Sequence, residues 1–394
     1  MSCIHFGDPD NCGGCRYQDI PYQEELLRKQ EKLRELFIEP LPDFDQIFEG
    51  ITGNEACAYR NKMEFTFGNR CKDGPLELGM HRKGRFYDIV SVPDCQITSA
   101  DFGRITEAVC GYFREKGTDF YRKRAHTGYL RHLLVRKAHF TGQILVDLVS
   151  AGYEGSDEKS LLSGFKDRIL SLDLDGEIAG ILHTRNNSLA DAVMDQGTEV
   201  LYGNDFFYEK LCGLTFRISP FSFFQTNSAG AEKLYGKAKE YMLSALSGEK
   251  PSEVFDLYSG TGTITQIVSS YATHVTGVEI VPEAVEAARA NARLNGISNC
   301  SFICGDVFKV IEGLEERPDM IIVDPPREGL SPKALSKIVS YDVDSIIYIA
   351  CKPASLARDI PTFTAHGYRT ARLSCVDMFP RTDNTECIAL FTKR

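Results

Sequence analysis

Six side chains of this sequence carry nucleophile, acid or base chemistry at the ends of short apolar runs. Tyr258 follows Val254-Phe255-Asp256-Leu257, Glu279 closes the run 275–278, and Asp306 follows 301–304. Asp324 follows Met320-Ile321-Ile322-Val323, Cys351 follows Ser345-Ile346-Ile347-Tyr348-Ile349-Ala350, and Glu386 opens the run that ends at Thr392. A thiol and a carboxylate together suit covalent catalysis at a pyrimidine carbon. Carbon 5 of uracil is a poor nucleophile until a thiolate adds at carbon 6 and makes an enolate. Once carbon 5 has taken a methyl group, a base must remove its proton so that the cysteine leaves. Cys351 is the candidate nucleophile and Glu386 the candidate base; Asp324 could hold the uracil edge or the incoming base.

An isolated cysteine is usually a small buried hydrophobe. Cys300, Cys304, Cys375 and Cys387, inside apolar strands, read that way. Cys351 instead stands at a strand end beside Lys352 and Pro353, where a neighbouring cation is expected to lower the thiol below its free value of ~8.5. Asp324-Pro325-Pro326 is followed by Arg327, not by the Tyr or Phe whose ring would stack a base for methylation of an exocyclic nitrogen.

The segment 256–264, Asp-Leu-Tyr-Ser-Gly-Thr-Gly-Thr-Ile, ends one apolar run and opens a helix. Gly260 and Gly262 allow a tight turn and close approach to a ligand. Glu279 ends the next strand, where a carboxylate accepts ribose hydroxyls, and Asp306 follows the third. The third glycine and phosphate cradle of a dinucleotide fingerprint are absent. The set suits an uncharged adenosine with a cationic sulfonium, S-adenosylmethionine, with Tyr258, Gly260, Gly262, Glu279 and Asp306 as its site.

A second constellation lies at the N-terminus. Cys3, Cys12 and Cys15 are three soft ligands, Gly13 and Gly14 allow the loop to close, and Cys95 is the natural fourth. Four thiolates suit zinc or an iron–sulfur cluster, and spacing alone does not choose. Cys57 and Cys71 are rival fourth ligands, and the spacing is not the CxxxCxxC of radical enzymes.

The elements that must position these residues follow from pattern. The chain has 394 residues, 43% hydrophobic and 25% charged, which excludes a disordered or collagen-like protein and suggests two to three domains. No apolar run approaches the ~18 residues of a membrane span, and residues 1–8 lack the features of a secretory signal. A cytoplasmic, membrane-free protein is expected. Thirteen scattered cysteines argue for free thiols, metal ligation or catalysis rather than a disulfide framework. Net charge is −10, yet residues 51–150 carry 16 Lys and Arg against 11 Asp and Glu. Residues 20–37 read as a helix on Leu26, Leu27, Leu33 and Leu36, residues 60–150 as strands and turns, 151–159 as a polar loop, and 197–218 as short strands. From about 220, helices alternate with apolar strands, implying βαβ units and a parallel, doubly wound sheet. The runs 370–375 and 387–392 suggest a hairpin at its edge. The expected fold is α/β: a Rossmann-like domain over 218–394 after an N-terminal α+β region, 1–217, of which residues 18–90 could pack on the C-terminal domain.

Cys3-Ile4-His5-Phe6-Gly7, Cys12-Gly13-Gly14-Cys15, Tyr59-Arg60-Asn61-Lys62, Leu78-Gly79-Met80-His81-Arg82, Phe224-Gln225-Thr226-Asn227, the segments 256–262, 324–329 and 351–359, and Phe379 to Glu386 form one ordered series. It resembles the uracil-5-methyltransferases of RNA, most closely their iron–sulfur-containing 23S rRNA branch, across nearly the whole chain. The resemblance implies a class I methyltransferase domain. It implies that Gln225, Tyr258, Glu279 and Asp324 serve S-adenosylmethionine and the site, that Cys351 is the nucleophile, and that Glu386, 35 residues on, is the base. It tips the four-cysteine set to [4Fe–4S], structural or RNA-positioning, with zinc as the alternative. It implies structured RNA as partner, 23S rRNA ahead of tRNA.

Two positions depart from the family pattern: Lys352 stands where Asn is usual, and Asn384 where His is usual. The N-terminal TRAM barrel of some members is expected to be lacking, since Cys3 already begins the cluster motif. RNA affinity is then expected from Arg60, Lys62, Arg82, Arg122, Lys123, Arg124 and Arg131, with Phe223 or Phe224 stacking a flipped base. No repeat demands an oligomer, so a monomer is expected. The competing readings are a cytosine-5 methyltransferase, an RNA-binding or RNA-folding factor, and a redox sensor built on the cluster.

Overall fold

The computed structural model describes residues 3–7, 12–153, 155, 157–190, 194–246, 250–314 and 317–393. The strands are β1 (Phe48–Thr52), β2 (Lys62–Gly68), β3 (Glu77–Arg82), β4 (Arg85–Val90), β5 (Leu130–Lys137), β6 (Gln143–Ser150), β7 (Glu177–Arg185), β8 (Thr198–Gly203), β9 (Phe207–Leu211), β10 (Leu214–Ile218), β11 (Glu253–Leu257), β12 (His274–Glu279), β13 (Cys300–Cys304), β14 (Met320–Val323), β15 (Ser345–Ala350), β16 (Tyr368–Val376) and β17 (Glu386–Lys393). The helices are α1 (Tyr22–Phe37), α2 (Phe44–Ile47), α3 (Ala100–Glu115), α4 (Glu158–Leu170), α5 (Ser228–Ala245), α6 (Thr263–Val268), α7 (Pro282–Leu294), α8 (Val307–Gly313), α9 (Pro332–Ser340) and α10 (Pro353–Ala365). No helix of the described residues is long and apolar enough to cross a membrane.

The chain forms two compact units. The first holds Met1–Pro21, Glu55–Glu209 and Ile218–Phe221; the second holds Tyr22–Asn54, Lys210–Arg217 and Ser222–Arg394. Residues 22–54 therefore belong with the C-terminal part of the sequence, although most of the first unit follows them.

The second unit is built on an eight-stranded sheet in the order β1-β16-β17-β15-β14-β11-β12-β13. The five strands from β13 to β15 pair in parallel, each reached through a helical crossover. Their continuous apolar runs follow from burial on both faces: Val254, Phe255, Ile321, Ile322, Ile346 and Ile347 are all buried. This is the Rossmann-like α/β fold expected from the sequence. The last two strands are antiparallel, as expected, but they are not a free edge. β17 is inserted between β15 and β16, and β1 covers β16 in parallel register, with Ile51 beside Cys375 and Thr52 beside Val376. β1, Phe-Glu-Gly-Ile-Thr, is short and half-buried, which is why its apolar pattern is weak.

The first unit carries a seven-stranded sheet, β4-β3-β2-β5-β6-β7-β8, antiparallel except for β6 and β7, which α4 connects. The reading of 60–150 as strands and turns missed α3. Phe102, Ile105, Val109 and Phe113 recur at helical spacing and are buried against Phe65, Phe67 and Phe165 of the same core. Each such ring or branched chain contributes about 1.5–3 kcal/mol when fully buried.

α1 departs from its leucine pattern. Its buried stripe is Glu25, Lys29, Leu33 and Phe37, while Leu27 is exposed. The two apolar members join the core under the sheet. The two charged members form a closed network. Lys29 Nζ donates to Glu25 at 2.8 Å and to Asp377 at 2.7 Å; the Tyr22 hydroxyl donates to Asp377 at 2.9 Å. Glu25 also accepts the backbone N–H of Arg381 at 2.7 Å. The network thus fixes the loop between β16 and β17. Removing one member of a buried ion pair leaves the other uncompensated, which costs about 3–5 kcal/mol. Lys29→Met is therefore expected to lower the stability of the second unit by several kcal/mol, measured as a shift of its urea unfolding midpoint. Lys32→Met, whose pair with Asp383 is solvent-exposed, serves as the control and is expected to cost under about 1 kcal/mol.

Candidate active site

Ligands of open α/β sheets bind beyond the carboxyl ends of the parallel strands. Tyr258 directly follows β11, Glu279 ends β12, Asp306 lies just past β13, Asp324 follows β14 and Cys351 follows β15. Because β17 runs the opposite way, its first residue, Glu386, arrives at this same edge. The β15–β17 register pairs Ala350 with Cys387. The next residues out are Cys351 and Glu386.

Their electrostatics show that these groups are neighbours. Glu386 is buried, its Oε2 has no hydrogen-bond partner, and burial pushes its carboxyl up to about 7 against the partial relief of Arg327. Asp324 keeps part of its surface open, yet burial, then Glu386 and Asp256, hold its carboxyl well above the usual range. Cys351 does not behave as its neighbour Lys352 suggested. Burial and the two carboxylates of Glu386 and Asp324 push the thiol up to about 11, and Arg327, not Lys352, is the cation that opposes them. Arg327 is itself placed by a 3.2 Å hydrogen bond to Asn384, two residues before Glu386.

The sequence reading missed Tyr235. This buried residue of α5 feels both Asp324 and Glu386, which, after burial, raise its hydroxyl; a hydrogen bond from Gln225 opposes the shift. Gln225 is thereby brought to the cluster. Asn227 caps α5 through Gly230 N–H at 2.9 Å and donates to the Met378 carbonyl at 2.9 Å, tying this segment to the loop that leads into β17. Tyr235 lies inside a helix with no motif of its own, and only its place on the α5 face reveals it. Of the two phenylalanines, Phe224 is buried against Phe216, ring centroids 5.7 Å apart, whereas Phe223 is 68% exposed. Phe223 alone has a face available for stacking.

The glycine loop is held by Glu279, whose carboxylate accepts Gly260 N–H at 3.0 Å and Val281 N–H at 3.0 Å. Gly262 has φ of +72°, and a Cβ there would stand 2.6 Å from Phe302 and 2.8 Å from Ala288, so no other residue fits without displacement. Tyr258 also adopts a left-handed φ, +67°, a strain that ordinary residues hold only when the surroundings impose it. Asp306 caps α8, accepting Lys309 N–H at 3.2 Å, and lies close enough to Tyr258 to help raise its hydroxyl. Asp256, within β11, accepts Thr265 at 2.5 Å and is pushed by burial up to about 7.

In the first unit, Cys3, Cys12, Cys15 and Cys95 line one small cavity of about 30 Å³ with Met63, Met80, Val92 and Ile97. Cys57 and Cys71 are exposed and do not line it. Burial, reinforced by the neighbouring sulfurs, raises Cys12 to about 11 and Cys15 to about 12, and raises Cys95. Four soft donors in an apolar nest fit a group that stabilises thiolates. Among the described residues, however, no three His, Cys, Asp or Glu side chains are arranged to hold a metal ion.

The expected RNA-facing cations divide. Arg131 is buried, donating to the carbonyls of Asn186, Ser188 and Ala190, and is a structural clamp. Lys62 pairs with Glu64 at 2.8 Å, and Arg60 donates to the Lys62 carbonyl. Arg122 and Arg124 are exposed, with Arg82 and Lys123 partly so. Cys304, expected inside, is exposed at the end of β13.

A family model described as tRNA (uracil-5-)-methyltransferase matches residues 194–394. An uncharacterized RNA methyltransferase of Clostridium tetani is 46% identical over 98% of this chain and 82% of its own length. One of Clostridium acetobutylicum is 44% identical over 100% and 84%. The crystal structure of Pyrococcus abyssi tRNA (uracil-54, C5)-methyltransferase in complex with S-adenosyl-L-homocysteine covers 97% of this chain and 86% of its own, with a TM-score of 0.76 and 24% identity, a likeness of fold.

Glu386 gives a pH test. Folded, it keeps its proton up to about pH 7, whereas an exposed glutamate releases it near ~4.3. Between those values the folded state binds more protons, so this carboxyl's contribution to stability falls as pH rises. Glu386→Gln is expected to stabilise the second unit at pH 8, by up to roughly 3 kcal/mol, and to leave it little changed at pH 4. Urea midpoints at the two pH values measure this; equal shifts at both would rule it out.

Proposed function

The chain belongs to the tRNA (uracil-5-)-methyltransferase family, and from that premise we propose that it transfers a methyl group from S-adenosylmethionine to carbon 5 of a uridine in RNA. The observation that carries the reading is the meeting of Cys351, Glu386 and Asp324 at one edge of the sheet. The methyl donor supplies an electrophilic carbon on a sulfonium. Tyr258, Glu279 and Asp306, with the Gly260–Gly262 turn, form the strand-end cradle for it, and Gln225 and Asp324 complete the site.

Cys351, once its proton has passed to solvent, adds as thiolate to carbon 6 of uracil; the carbon 5–carbon 6 double bond opens and its electron pair moves toward oxygen 4. The electron pair returning to carbon 5 would bond the methyl carbon as that carbon's bond to the sulfonium breaks, its pair remaining on the donor's sulfur, which would leave as a neutral thioether. Glu386 then removes the carbon 5 proton, the double bond re-forms and the sulfur leaves. A carboxyl near 7 is matched to that proton transfer at neutral pH. Asp324, whose carboxyl burial and Glu386 shift toward its proton-bearing form, is placed to hold the uracil edge. Phe223 is the ring on which a displaced base can stack.

We infer further that Cys3, Cys12, Cys15 and Cys95 hold a [4Fe–4S] cluster, zinc being the alternative, and that the substrate is 23S rRNA, tRNA being the alternative. The convergence of the four thiols on one cavity supports the first. Likeness of that cysteine set to the rRNA branch supports the second. The protein is taken to act as a cytoplasmic monomer.

Mass spectrometry of nucleosides from separately purified rRNA and tRNA, from cells with and without the gene, tests the reading. 5-Methyluridine is expected to disappear from rRNA; loss from tRNA alone would keep the chemistry and change the substrate, and no loss in either would refute methylation. With the purified enzyme, Cys351→Ala is expected to lower methyl transfer by at least about a thousandfold. Glu386→Gln is expected to accumulate a covalent protein–RNA adduct, seen as a band that survives denaturing gel electrophoresis. Cys95→Ala, prepared without oxygen, is expected to lose bound iron and sulfide; full retention would exclude it as a ligand.

A further inference from the structure

The first unit presents two adjacent aromatic rings to solvent. Phe86 is 52% and Tyr87 53% exposed, both on β4 just past the tight turn at Gly84. Neither ring is loose. His81 stacks on Phe86 with centroids 4.7 Å apart and planes 7° apart, and its Nδ1 lies 2.6 Å from the Phe86 carbonyl oxygen. From the segment 119–128, Lys123 Nζ sits 4.3 Å from the Phe86 centroid and the Arg124 guanidinium 4.7 Å from that of Tyr87. Within 82–88 and 119–126, six Lys and Arg stand against two Asp, in a protein whose net charge is −10.

We propose that the β3–β4 hairpin and the 119–128 segment form a binding surface for a single-stranded stretch of the substrate RNA. The proposal rests on the reading of this chain as an RNA-modifying enzyme and adds the element that grips the strand. Exposed rings offer π-faces to any nucleobase, and the cations offer charge to the phosphates between them. A base that stacks on Phe86 or Tyr87 takes the place of the cation, which then turns to the backbone. The ring planes lie at 85° with centroids 5.5 Å apart. Two bases still stacked in a helix are parallel and cannot engage both. The surface therefore selects an unstacked strand over a duplex.

The test uses the full-length protein and a fluorescein-labelled oligouridylate, with an A·U duplex of equal length as comparison, read by fluorescence anisotropy. Phe86→Ala with Tyr87→Ala is expected to weaken oligouridylate binding on the order of tenfold or more, with duplex binding and the melting temperature unchanged. Lys123→Ala with Arg124→Ala is expected to flatten the slope of log Kd against log salt by about 1.4, at ~0.7 for each phosphate no longer neutralised. Parental affinity in the aromatic double variant overturns the proposal. So does tighter binding of the parent protein to phosphatidylserine vesicles than to oligouridylate. Methyl transfer by the same samples separates the two readings. Ring-dependent oligouridylate binding without methyl transfer to any RNA keeps this surface and sinks the methylation reading. Active enzyme whose RNA KM ignores the aromatic double variant sinks this surface alone.

Discussion

The candidate site depends on one antiparallel pairing. β17 enters the sheet against the direction of its neighbour β15, with Ala350 opposite Cys387. A parallel β17 would carry Glu386 to the far edge. The reversal places a carboxyl next to a thiol that ends a parallel strand, 35 residues earlier in sequence. β1 then seals the outer side of β16, so the pairing that positions Glu386 lies inside the sheet. The loop feeding β17 is fixed independently by Lys29, Glu25 and Asp377.

The same arrangement sets the protonation of the site. Asp324, Glu386, Cys351 and Tyr235 all have their proton-bearing forms favoured, with burial the first cause in every case. Arg327 opposes this at both Glu386 and Cys351. Such a cluster stores little negative charge until something positive or polar enters. A sulfonium, or a pyrimidine with hydrogen-bonding edges, is the kind of guest that would draw the thiolate out. On the proposed reading, activation of the thiol belongs to the loaded site.

Much of this architecture is legible in the sequence, for a physical reason. Parallel strands buried on both faces write unbroken apolar runs, so the strand-end positions of Tyr258, Asp324 and Cys351 can be read directly. What is not legible depends on tertiary context. The leucines of α1 mark it as a helix, yet its buried stripe includes Glu25 and Lys29, whose burial makes sense only when Asp377 is known to face them. Arg131 looks like a surface cation because its carbonyl partners lie 55 to 59 residues on. The acidity of Cys351 is misjudged from sequence because adjacency points to Lys352, while the fold brings carboxylates instead. Tyr235 carries no local signal at all.

The Lys29–Asp377 contact joins residues 348 apart, and β1 joins β16 across a similar span. On a ribosome this imposes an order of events. The segment 22–54 emerges before β16 and β17 and has no sheet to join until both have been made. Its buried charges must wait in water meanwhile. Residues 55–209 form the bulk of the first unit, whose contacts close over shorter loops, so that part can finish first. A ribosome that stalls before β17 would therefore release a chain with one folded half and a second half lacking both its clamp and Glu386, a natural substrate for chaperones.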